Sequence, residues 1–212
     1  MLENIVLVVV IVFFLVFYII PGCGKSVLKK SIRDRMAVPE QERFEILQDL
    51  LRDSLGVCEE LGVRPIAFYG TLLGMVREKD IIKHDYDIDL IFFDEDFWRV
   101  RESLDRFRNK TKFRRLIWHD KIYMISNRNS KIEGDLIKFK KNRPEDPYLY
   151  KDTFWVPANS EDFEWSSPFH IKYRKDWILP LRRMETKYGI IYLPNESEKL
   201  LERFYGLDCW CC

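Results

Sequence analysis

The sequence carries almost no excess of charge. Its 35 lysines and arginines meet 34 aspartates and glutamates, a formal balance of +1. A general nucleic-acid coat needs a basic surplus, so that class is disfavoured. A local basic pocket for a phosphorylated ligand is not excluded. Internal repeats and low-complexity tracts are missing too. With 47% hydrophobic and 15% aromatic residues among 212, the chain is not disordered as a whole, and its length suits one medium domain. The five cysteines (Cys23, Cys58, Cys209, Cys211 and Cys212) show no zinc-finger spacing with a matching second half, and the closing CWCC is not a prenylation signal. Gly24-Lys25-Ser26 ends like a phosphate-binding loop, but the glycine that should stand five positions earlier is replaced by Ile19.

What is there begins with an apolar run, NIVLVVVIVFFLVFYII, Asn4 to Ile20, closed by Pro21-Gly22. It is slightly shorter than the ~20 residues that span a bilayer, and flanking residues can extend it. The preceding MLEN lacks the basic start of a cleavable signal peptide. The run is therefore read as a membrane anchor over residues 1–23, followed by a basic juxtamembrane linker, 24–40, and a folded domain, 41–208. Lys25, Lys29, Lys30, Arg33 and Arg35 would hold that flank in the cytosol. The glycosylation sequons at Asn109 and Asn195 are usable only in the secretory lumen.

From Pro39 the pattern turns helical, with Phe44, Leu47, Leu51, Leu55, Cys58 and Leu61 at three- and four-residue steps and Gly62 as the stop. RPIAFYG reads as a short strand into Gly70, and TLLGMVREKD as a brief helix or turn. Residues 86–93 alternate as a strand, with Asp87, Asp89, Ile91 and Phe93 on one face. Asp94 is expected to cap a helix carrying Phe97, Val100, Leu104 and Phe107. Strands are expected at FRRLIWH, KIYMISN and GDLIKFK. Residues 143–176, rich in proline and aromatics, read as an ordered insertion or lid. Two strands then flank a turn at Lys187-Tyr188-Gly189, and a last helix opens at Asn195 with Glu198 as capping partner. This order predicts a mixed α/β or α+β domain.

The chemistry lies in IIKHDYDIDLIFFDE. Asp85, Asp87 and Asp89 recur at every second position and would repel one another unless a cation is held there. Carboxylates suit Mg²⁺ or Mn²⁺, which also bind substrate phosphates. The turn at Tyr69-Gly70-Thr71 could offer backbone N–H groups and a hydroxyl to phosphate. Asp135, which opens the strand GDLIKF, is the candidate third ligand, with Glu133 in reserve. A solvent-facing acidic strand edge is the plainer alternative. The agreement of turn, strand and third carboxylate favours a nucleotide-handling site.

The stretch YGTLLGMVREKDIIKHDYDIDLIFF resembles the signature of the LicD, fukutin and fukutin-related protein family. The matching residues are Gly70 to Gly74, Arg77, and Asp85, Asp87 and Asp89. WILPL and YLPNESEKLLERFYG resemble the family's later elements, through Pro194, Asn195, Leu200, Leu201, Tyr205 and Gly206. His84 stands where the family often has tryptophan. The resemblance covers roughly residues 45–207 and implies a nucleotidyltransferase-like fold of the DNA polymerase β superfamily. It implies transfer of a phosphorylated alcohol, of the phosphocholine or ribitol phosphate type, from a CDP-linked donor to a glycan. It also implies a Golgi or ER membrane protein with a lumenal catalytic domain.

In that scheme Asp87, Asp89 and Asp135 would hold the metal and Asp85 would orient or deprotonate the acceptor. Gly70, Thr71 and Arg77 would bind donor phosphate, and Trp155 or Trp165 could stack on a sugar. Three other classes stay open: an Asp-x-Asp glycosyltransferase using a nucleotide sugar; a polymerase-like transferase acting on nucleic acid, against which the neutral charge balance and the anchor weigh; and a catalytically inactive, membrane-tethered glycan-binding protein. The lumenal topology has a direct check. Glycosidase treatment of protein expressed in animal cells should shift its mobility through Asn109, whereas an unglycosylated domain open to protease outside sealed microsomes would place it in the cytosol.

Overall fold

Helix α1, Glu40–Leu61, is the longest element. Ile46, Leu47, Leu50, Leu51 and Leu55 recur at helical spacing and are fully buried, and each such side chain contributes about 1.5–3 kcal/mol by leaving water. Glu40 and Glu42 in the first turn suit the positive end of the helix. Gly62, at φ 62°, ends it in the left-handed conformation, and Val63 N–H returns to the Cys58 carbonyl. The computed structural model describes residues 34–103, 111–115, 121–141, 155–157 and 173–207. Residues from Pro39 onward belong to one compact unit, and Met1–Val38 form another. Among the described residues no helix is long and apolar enough to cross a membrane. The expected anchor at 1–23 lies outside the described residues.

After α1 come β1 (Ile66–Ala67), α2 (Tyr69–Arg77), β2 (Asp87–Phe93), α3 (Asp94–Glu102), β3 (Thr111–Arg115) and β4 (Lys121–Ser126). Then follow β5 (Glu133–Lys141), β6 (Trp155–Pro157), α4 (Lys175–Ile178), β7 (Arg182–Thr186), β8 (Gly189–Leu193) and α5 (Ser197–Tyr205). The strands form one mixed sheet in the order β3-β4-β5-β2-β1-β8-β7, with β6 joined to the far end of β5. The β2–β5 and β1–β8 pairs are parallel and the others antiparallel. Helix α1 packs on one sheet face, where Ser54 meets Met124 and Leu55 meets Gly189. The opposite face carries a knot of rings in edge-on contact. Phe68 stands 5.7 Å from Phe139, 5.4 Å from Tyr173 and 5.3 Å from Phe204. The mixed α/β class expected from the element order is what the sheet shows.

Several expected boundaries move. The strand before the glycine turn stops at Ala67, and Tyr69 and Gly70 already belong to α2. Asp94 is the first residue of α3 rather than its cap, and no side chain caps that helix. Helix α5 starts at Ser197, where Glu198 reaches Arg182 at 3.3 Å instead of closing a capping box. Asn195 is folded in, its amide donating to the Asp176 carbonyl at 2.9 Å. Leu104, Phe107 and most of 143–176 lie outside the described residues.

The segment between α2 and β2 is tied down at both ends. A Cβ on Gly74 would fall 2.5 Å from the Asp80 carbonyl and 3.0 Å from Ile82 N, so only glycine lets this backbone cross the helix. The Asp80 carboxylate accepts from Lys187 Nζ at 2.6 Å, from Ile81 N–H at 2.8 Å and from the Tyr188 hydroxyl. Gln48 of α1 donates to that same hydroxyl at 2.9 Å. Burial alone would raise the Asp80 carboxyl, but these donors outweigh it and hold it below the usual carboxylate range. Because the folded value is the lower one, the stabilisation is complete above the unfolded value, about 3.9, and fades as pH falls through the folded one. Asp80→Asn should cost about 1–2 kcal/mol at neutral pH, with the solvent-screened Lys187 arm the smaller share. Urea unfolding should show that gap narrowing below about pH 4, and a pH-independent gap would assign it to shape alone.

Candidate active site

Two parallel strands make the floor. β2 and β5 pair in register, with Asp87 opposite Glu133 and Asp89 opposite Asp135. Paired residues of parallel neighbours share a sheet face, and so do alternate residues of one strand. Asp87, Asp89, Glu133 and Asp135 therefore form a two-by-two block of acids, with Tyr123 of β4 next in the Asp135 row. Asp135 is the most enclosed, at 8% exposure, while the others are half-buried.

Asp85 reaches the site by another route. Alternation alone put it on the strand, but β2 begins at Asp87, and Asp85 lies in the preceding turn with its N–H bonded to the Ile82 carbonyl at 3.0 Å. Its Oδ1 accepts from Tyr86 N–H at 2.9 Å. Its Oδ2 fills the space a side chain on residue 70 would need, since a Cβ on Gly70 would lie 2.5 Å away. The glycine of the signature thus admits a carboxylate to the first turn of α2, the helix end that favours an anion. Burial raises the Asp85 carboxyl above its ordinary range; nearby backbone N–H groups, His84 and Arg43 offset this only in part.

Arg43 is a component that the sequence pattern concealed. It lies on the buried stripe of α1 at 3% exposure. Its Nε donates to the Asp85 carbonyl at 2.7 Å, and Nη2 reaches the His84 carbonyl at 3.4 Å. The available signal was a cation four residues before Leu47 and seven before Leu50, on the apolar face. Thr71, expected at donor phosphate, is 2% exposed, and its hydroxyl accepts from Asp89 N–H at 2.8 Å. Together with Phe68 N–H, which donates to the Asp89 carbonyl at 3.2 Å, it fixes the β1–α2 turn to the acidic strand. Arg77 closes α2 and pairs with Glu78 at 2.6 Å. Lys83 reaches Glu40 at 3.5 Å.

The wall beside the acids is aromatic. Tyr69 turns the chain into α2 with φ 44°, an uncommon left-handed conformation for a bulky residue. Its ring lies 5.1 Å from Phe204 of α5. Tyr205, the last residue of that helix, is 46% exposed. Burial around its hydroxyl, and after it the charges of Asp89, Asp85 and Asp87, push the phenol above the ordinary tyrosine range. The tryptophans expected as sugar platforms, Trp155 and Trp165, have side chains outside the described residues.

Among the described residues no three His, Cys, Asp or Glu side chains already form a metal cage. A small hard cation does not require one. Mg²⁺ is commonly held by one or two carboxylates, with water and substrate phosphate completing the shell. Asp87 and Asp89, with Asp135 beside them, supply oxygen donors of that kind, so the residues fit such an ion.

A family model described as LicD/FKTN/FKRP, nucleotidyltransferase domain, matches residues 62–196, and the chain belongs to this family. The chain is also 25% identical over 199 residues to human ribitol 5-phosphate transferase FKRP. That alignment covers 87% of this chain and 38% of the relative, so the chain matches well under half of the relative's length.

The Arg43 anchor is open to test. Arg43→Met preserves much of the apolar stem but withdraws its donors from the Asp85 and His84 carbonyls. Urea unfolding should show a loss of about 1–3 kcal/mol, and an unchanged midpoint would mean that the Asp85 turn is held elsewhere.

Proposed function

We propose that this protein transfers a phosphorylated alcohol, of the ribitol phosphate or phosphocholine type, from a CDP-linked donor to a glycan on a glycoprotein or glycolipid. The observation that carries the reading is the in-register pairing of Asp89 with Asp135, beside Asp87 and within reach of the α2 turn that receives Asp85. The activity named for the human relative supports the same class of chemistry. A nucleotidyltransferase-like fold, a lumenal domain in the Golgi or ER and an N-terminal membrane anchor belong to this proposal.

Asp87, Asp89 and Asp135 would hold Mg²⁺ or Mn²⁺. Such an ion, when bound, neutralises charge on the donor diphosphate. The remaining work falls to the chain itself. Asp85 orients the acceptor hydroxyl and takes its proton, and its raised affinity for a proton suits a general base. The acceptor oxygen bonds to the phosphorus that bears the alcohol, the phosphoanhydride bond breaks, and CMP leaves with the electron pair. Gly70 admits the Asp85 carboxylate, and Thr71 holds the acidic strand against the first turn of α2. Arg77, at the other end of α2, is proposed to release Glu78 for a donor phosphate.

Asp87→Asn tests this directly. Removing one of several like charges should leave the metal-free protein as stable as the parent or more so. The rise in melting temperature that Mg²⁺ or Mn²⁺ with CDP-ribitol gives the parent should shrink, because ligand stabilisation follows affinity. CMP release should fall by orders of magnitude, in line with an ion worth several kcal/mol to phosphoryl transfer. Full activity in Asp87→Asn would reduce the acids to a charged strand edge.

A further inference from the structure

The end of α5 is exposed where a folded chain ordinarily hides its rings. Among the described residues, the large apolar or aromatic side chains left exposed are Met36, Tyr205 and Leu207, and two of these three follow Phe204 with Gly206 between them. The neighbouring aromatics pack on one another. Phe204 lies against Phe68, Tyr69 and Tyr173 at ring distances of 5.3, 5.1 and 5.8 Å. That packing anchors the helix beside Gly70, whose free side receives Asp85. Tyr205 follows Phe204 at the end of that helix, and the charges of Asp89, Asp85 and Asp87 reach its hydroxyl.

We propose that Tyr205 is the acceptor-positioning residue, its ring packing on the apolar face of a sugar and its hydroxyl bonding a sugar hydroxyl next to the attacking one. The inference rests on the phosphotransferase reading and names the acceptor side of that site. The chemistry favours a carbohydrate over the donor nucleotide. A sugar hydroxyl both donates and accepts, so it can give its hydrogen to a carboxylate while accepting one from a phenol. It brings no charge into a field of three aspartates. A donor phosphate only accepts and carries negative charge, so it belongs over the cation. A sugar's C–H face also suits an exposed ring carrying a polar tip.

The full chain, labelled throughout with fluorotyrosine, tests this without relying on turnover. The Tyr205 resonance is assigned by its loss in Tyr205→Phe. With Mg²⁺ present at saturation throughout, titration with N-acetyllactosamine should shift that resonance, and titration with CMP should not. A response to CMP alone would make Tyr205 a donor platform and overturn the inference, as would no response to the disaccharide. In turnover with CDP-ribitol, Tyr205→Phe should raise the KM for the glycan acceptor about tenfold, as expected for one lost hydrogen bond, while the KM for the donor holds. Unchanged acceptor KM would also overturn it. Failure of the parent to release CMP from any CDP-linked alcohol would defeat the functional reading instead, and the fluorine titration would still decide whether the site takes a sugar.

Discussion

The arrangement of the site depends on one constraint: two strands that each carry acids are paired in parallel and in register. With Asp89 beside Asp135 and Asp87 beside Glu133, four carboxylates share one face of the sheet within neighbouring-strand distance. Like charges at such spacing oppose folding unless protons or cations relieve them. The apolar halves of both strands carry the cost. Ile88, Leu90 and Leu136 point to the other face and are fully buried, so the register that gathers the acids is also the one that fills the core. A slip of one residue would bury the aspartates and expose the leucines.

Around that floor, attachments fix the chain that delivers Asp85. Gly74 lets the Asp80–Ile82 backbone cross α2, Asp80 ties it to the β7–β8 turn, and Arg43 holds the Asp85 carbonyl from α1. These residues come from widely separated parts of the chain. None need touch a ligand to influence it. The position of the Asp85 carboxylate over Gly70 follows from all of them, and Thr71 adds the link from α2 to the Asp89 amide. The signature glycine and threonine thus have structural work of their own, beside any contact with donor phosphate.

The sequence by itself determined the elements and the chemical type. The helical stripe of α1, its stop at Gly62, the alternation of β2 and the strand at Asp135 are local patterns, set by side-chain period and backbone freedom. The acids could be recognised because carboxylates interrupting apolar strands have no packing reason to be there. Tertiary structure alone decided the rest. Whether Asp135 or Glu133 stands beside Asp89 is a matter of register between strands more than forty residues apart, and no local signal encodes it. Arg43 lies on the apolar stripe of α1, but its partners, the Asp85 and His84 carbonyls, appear only when α1 is laid against the Asp85 turn. Tyr205 belongs to the closing Tyr-Gly of the resemblance, but only the packing of half-buried Phe204 against Phe68 turns Tyr205 outward, within the field of the acids. Local sequence sets which residues can share a face, but which faces meet follows from burying the apolar surface of the whole domain at once.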